Sequence, residues 1–134
     1  MTFHGMNLWA VLVSAISAFA LGGLWYSPLM FEKAWMRANG KADGQVPAAN
    51  AKIFGLAFLL SLVMAANLAM FLNDPKTTLT WGATAGFLAG FGWVTMGLGI
   101  VSLFERRGWA YVLINGGYLT LALVVMGAIL GGWR

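Results

Sequence analysis

Two amides lie inside long apolar stretches of this chain, Asn67 and Asn115. An amide in hydrocarbon needs a partner within its own helical bundle, across a contact with a second copy, or on a bound or transported small molecule. A second group gathers where the first apolar stretch ends: Tyr26, Glu32, Lys33, Trp35 and Arg37. Charges and amphipathic rings in that order suit an anionic headgroup or substrate held at a membrane boundary. They also suit plain interfacial anchoring, the blander reading. Glu32 has a further candidate role, neutralising Arg106 or Arg107.

Other chemistries lack their residues. His4 is the single imidazole, and one histidine near a terminus is weak evidence for a metal or a catalytic base. The absence of cysteine removes disulfides, thiolate catalysis and thioether haem attachment. Glu32, Asp43, Asp74 and Glu105 all fall in or beside connections, so the apolar stretches carry no paired carboxylates and no proton relay. The serines have no convincing base nearby. The glycines lack the lysine and strand context of a phosphate loop. No cofactor and no metal is implied, and an enzyme working at the interface is the weakest functional reading.

The elements that hold these residues follow from composition. The chain is 60% hydrophobic and 9% charged over 134 residues. A soluble domain of that size carries more surface charge, so lipid must cover the remainder. The apolar stretches cover 7–26, 53–72, 79–104 and 109–133. About twenty residues at roughly 1.5 Å each span roughly 30 Å of hydrocarbon. The expectation is an all-α membrane protein: one domain over 1–134 with four transmembrane helices, a short interfacial helix after helix one, and a polar connection at about 39–46. Ala18-Phe19-Ala20 resembles a signal-peptidase site, but no Lys or Arg precedes the apolar run, which continues to Trp25. Retention as the first membrane helix is expected.

Small residues recur every four positions. Ala10, Ser14, Ala18 and Gly22 do so in helix one, Ala57, Ser61, Ala65 and Ala69 in helix two, and Gly82, Gly86 and Gly90 in helix three. Such stripes let backbones approach closely, which is how membrane helices pack. Trp93 falls near the middle of helix three, where it either fills a gap opposite the glycines or walls a cavity. Asn115, Gly116 and Gly117 interrupt the first half of helix four. Pro28 disfavours helix at Ser27. Asn39-Gly40 is a stop for the interfacial helix, Pro47 a start for helix two, and Thr77 or Thr78 a cap for helix three. Phe19, Gly22, Trp25 and Ser27 share their spacing with Phe87, Gly90, Trp93 and Thr95, a pattern that a duplicated hairpin or chance would produce.

Charge orients the whole. Lys33, Arg37, Lys41, Lys52, Arg106 and Arg107 flank one side, against Lys76 and Arg134 on the other. The positive-inside rule places the first set in the cytoplasm and both termini outside, periplasmic in a bacterial inner membrane. The net charge of +4 is small and implies no nucleic-acid partner.

The run Gly22-Gly23-Leu24-Trp25-Tyr26-Ser27-Pro28-Leu29-Met30-Phe31, leading to Lys33-Ala34-Trp35-Met36, resembles the bacterial membrane family of unknown function DUF1761. The resemblance implies a helical membrane domain with an undefined activity. It carries over no catalytic residue. Two functional classes stand side by side. One is small-molecule transport or permeation by a homo-oligomer, with a homodimer as the expected assembly. The other is a non-catalytic scaffold or lipid-binding protein, with membrane lipids as the partner.

Overall fold

The computed structural model describes residues 2–3, 6–40 and 50–134. His4, Pro47 and most of the polar connection, 41–46, lie outside the described residues. Two-residue strands β1 (Thr2–Phe3) and β2 (Met6–Asn7) pair antiparallel, with Thr2 opposite Asn7. Helices follow as α1 (Leu8–Trp25), α2 (Glu32–Ala38), α3 (Ala51–Phe71), α4 (Leu79–Ala89), α5 (Met96–Phe104) and α6 (Trp109–Gly132). A π-helical turn, Gly90–Thr95, joins α4 to α5 into one span, Leu79–Phe104. Four helices are therefore long and apolar enough to cross a membrane, with short α2 placed after the first as an interfacial helix would be.

Local chemistry sets the ends. Asn7 Oδ1 accepts from the Trp9 and Ala10 backbone N–H groups and starts α1. Ser27 precedes Pro28, leaves the helix, and donates its hydroxyl back to Leu24 O at 2.6 Å. The Phe31 N–H then donates to Trp25 O at 3.0 Å, which folds the chain directly into α2. Asn39 closes α2, its Nδ2 donating to Trp35 O, and Gly40 takes a φ of +71° that a side chain would strain. Helix two of the sequence reading, α3, begins at Ala51. Asn50 is extended, and its side chain caps α3 by accepting from Ile53 N. Of the two threonines, Thr78 caps α4, while Thr77 donates its hydroxyl to Leu72 O at the end of α3.

Helix α6 is the most buried span and touches α1, α2, α3 and the whole third span. Its glycines do not interrupt it; they are docking points on opposite sides. Gly116 receives Thr95, and Gly117 receives the Trp25 ring. Against α4 the approach is backbone to backbone. A Cβ on Gly82 would fall on the Gly127 carbonyl, and one on Gly86 on the Leu123 carbonyl. The buried line along the third span reads Gly82, Gly86, Gly90, Thr95, Gly99 and Ser102. The π-helical turn inserts one extra residue between Gly90 and Thr95, and this keeps the later positions facing α6. The four-residue stripe thus continues past Gly90 in a shifted register. Trp93 rides on the outside of that turn at 70% exposure, with Phe71 edge-on to its ring at 6.4 Å. It neither fills a gap opposite the glycines nor lines the large cleft described below. The hairpin correspondence therefore holds for Gly22 and Gly90, which both face α6 (Tyr118 and Thr120), but not for Trp25 and Trp93.

The packed core occupies the terminal half of the molecule. Ala10, Ala15 and Ala18 of α1 meet Ala65 and Leu68 of α3, Leu72 at its C-terminal cap, and Ala122, Met126 and Leu130 of α6. Arg134 fastens that end, its guanidinium donating to Leu72 O and Asp74 O.

Candidate functional site

The same three helices enclose a cleft in the other half, roofed by α2. Its volume is about 720 Å³, within the range of small-molecule sites. Phe19, Gly22 and Gly23 line it from α1, Tyr26 from the cap that ends α1, and Ile53, Phe54, Ala57 and Ser61 from α3. Asn115 and Tyr118 form the α6 wall, and Glu32, Trp35 and Met36 the α2 roof. The lining ends near the middle of each span, at Phe19, Ser61 and Tyr118, where the packed core begins. Phe19 sits edge-on to both Phe54 and Phe58, at 5.8 and 6.0 Å.

Polar groups concentrate at the α2 end. Tyr26 Oη donates to Asn115 Oδ1 at 2.6 Å, and Asn115 Nδ2 donates to Tyr111 O at 3.0 Å. Tyr118 Oη donates to Ala18 O at 2.8 Å. Gly22 makes room for that phenol, since a Cβ there would stand 3.1 Å from the Tyr118 oxygen. Trp25 Nε1 donates to Ile114 O at 2.9 Å and so pins the end of α1 to α6. The Tyr26 ring is edge-on to Tyr118 at 5.5 Å and to Trp35 at 5.9 Å. Burial, aided by the neighbouring phenols Tyr118 and Tyr111, pushes the Tyr26 pKa well above the ordinary tyrosine range. Its hydroxyl stays protonated at any physiological pH and remains the donor to Asn115.

The structure divides the residues singled out in the sequence. Tyr26, Glu32, Trp35 and Asn115 come together at the cleft. Lys33 and Arg37 are exposed and point outside its lining. Asn67 stands apart, exposed on the outer surface toward the terminal end of α3. Glu32 does not neutralise Arg106 or Arg107. The α5–α6 turn keeps its own acid: Arg107 pairs with Glu105 at 3.2 Å, donates to Asn39 Oδ1 at 3.1 Å, and lies 4.5 Å over the Tyr111 ring. Among the described residues Glu32 has no ion pair and no side-chain hydrogen bond. Gly82, Gly86 and Gly90 lie in the α4–α6 contact, away from the cleft.

Tyr118 is the wall residue that sequence reasoning passed over. Its signal was available: a phenol three residues beyond Asn115 falls on the same helical face.

No curated protein and no solved structure matches the chain. The model of a protein family of unknown function, DUF1761, matches residues 9–131, which takes in the four spans apart from the first residue of the first and the last residue of the fourth, the α1–α2 turn and every cleft-lining residue. The chain belongs to the DUF1761 family.

Proposed function

We propose that this protein binds the apolar chain of a membrane amphiphile in the cleft beneath α2. The cleft itself carries this reading: its walls are mainly hydrocarbon and aromatic rings, with polar atoms gathered at one end. That is the pattern of an amphiphile held at a membrane boundary. Transport would require a path onward to the far side. The packed core of Ala18, Ala65, Ala122 and Met126 lies beyond the cleft, which favours binding over permeation.

A photoactivatable decanol carrying a diazirine at its chain end tests the reading in lipid vesicles. Adducts should concentrate on the cleft segments of α1 and α3. Gly23 lines the cleft, and a Cβ there meets nothing within 4 Å. Gly23→Leu therefore fills the space without disturbing a helix contact, and labelling of the cleft should fall several-fold. Equal labelling of cleft segments and of outer residues such as Leu60 and Leu88, unchanged by Gly23→Leu, would rule out an occupied site.

The proposed orientation puts α2 and the α5–α6 turn in the cytoplasm, because basic residues crowd those connections. A cysteine at position 106 should react with an impermeant maleimide in sealed inverted vesicles, and one at position 76 should not. Reaction of Lys76→Cys under those conditions would reverse the topology.

A further inference from the structure

We infer that the occupant of the cleft carries a cationic head, an amine or quaternary ammonium, in place of the anionic headgroup that the nearby lysine and arginines suggest. This deepens the amphiphile reading and rests on it.

The inference starts from how the fold sorts charge. The segment 32–37 contains one acid and two bases. α2 sets Glu32 on the cleft lining together with Trp35 and Met36, while Lys33 and Arg37 are exposed outside it. The heptad geometry of a helix explains the split. Positions 32, 35 and 36 share one face, and positions 33 and 37 share the next. Among the described residues, the cleft lining thus holds one formal charge, and it is negative.

Hydrogen-bond bookkeeping points the same way. Tyr26 gives its proton to Asn115, Tyr118 to Ala18 O, and Ser61 to Ala57 O. Each hydroxyl proton is already used, so these groups face the cleft as acceptors. The Glu32 carboxylate adds acceptor oxygens that no described residue engages. Among the described lining residues, the side-chain donors left over are the second Asn115 N–H and the Trp35 indole. An anionic head would find few protons here and an opposing carboxylate. A cation would find oxygens, and beside them the rings of Tyr26, Trp35 and Tyr118. Tyr26 bridges the other two, edge-on to each. Aromatic rings attract ammonium groups, and Glu32 shares the lining with these three.

The test keeps the diazirine chain and changes only the head, comparing trimethylammonium, hydroxyl and sulfate probes in zwitterionic vesicles. Half-saturation of cleft labelling should occur at roughly fivefold to tenfold lower concentration for the ammonium probe than for the hydroxyl probe. The sulfate probe should be the weakest. Glu32→Gln should bring the ammonium and hydroxyl probes close to parity. Lys33→Gln should leave the ratio as it is. Trp35→Leu supplies an independent variant: it should lower the ammonium preference with the carboxylate intact. A preference for the sulfate probe, or an ammonium preference that survives Glu32→Gln, would overturn the inference. Loss of cleft labelling by all three probes would instead count against the amphiphile reading beneath it.

Discussion

Gly86→Leu is expected to lower thermal stability in detergent by roughly 10 °C, whereas Leu88→Ala should shift it by no more than a few degrees. The two positions are neighbours in one helix and differ in what they face. Gly86 is buried against α6, where even a single added Cβ would fall on the Leu123 carbonyl. A branched side chain must push two backbones apart along a contact that Gly82, Gly90 and Gly127 share. Overpacking of this kind costs about 3 kcal/mol, near the upper end of its usual range, because a rigid backbone rather than a flexible side chain has to move. Leu88 is 55% exposed on the outer surface, and its truncation leaves no cavity inside the protein. Melting both variants in one detergent at matched protein concentration makes the comparison. Equal or higher stability for Gly86→Leu would place this stripe toward lipid.

The π-helical turn carries the second large effect. Thr95→Val should destabilise the third span by about 1 kcal/mol, between the average of about 0.6 and the maximum of about 1.7 measured for side-chain hydrogen bonds between membrane helices. Valine matches the threonine in shape, so the loss isolates the hydroxyl. That hydroxyl donates to Gly116 O at 3.1 Å or shares a proton with Thr120 Oγ1 at 3.0 Å, in a position only 6% exposed. Without it, the Thr120 hydroxyl loses its cross-helix partner. Replacing both threonines by valine should therefore cost less than the sum of the single changes, since no hydroxyl is then stranded. A double-mutant cycle read by reversible unfolding in mixed micelles measures the coupling. Strict additivity would show that the two hydroxyls act independently.

Much of the architecture was legible in the sequence because its causes are local. Transfer of an apolar side chain into lipid depends on that side chain, so four spans could be read from four apolar runs. A cap depends on a side chain and the backbone two or three residues on, so Thr78, Pro28 and Asn39-Gly40 marked boundaries the fold respects. Gly82, Gly86 and Gly90 at spacing four fall where the third span meets α6, because sterics decides where backbones can meet, whereas Ala57 of the helix-two stripe is exposed and lines the cleft.

Facing was another matter. In water, polar residues mark the outer side of a helix. In a bilayer, lipid and protein interior are both apolar, so Trp93 on the outside and Leu68 on the inside look alike in sequence. The one-residue insertion at Gly90–Thr95 broke the stripe in the sequence while preserving it in space. Charge assignment depended on tertiary structure for a similar reason. Glu32, Lys33 and Arg37 lie within a few residues of one another, and only the seating of α2 against α6 and the cleft turns the acid inward and leaves the bases outside. The sequence determined which segments are long and apolar enough to cross a membrane, and it marked several of the helix ends. Tertiary structure decided which atoms face each other, because in lipid that choice rests on shape and hydrogen bonding between distant segments and not on hydrophobicity.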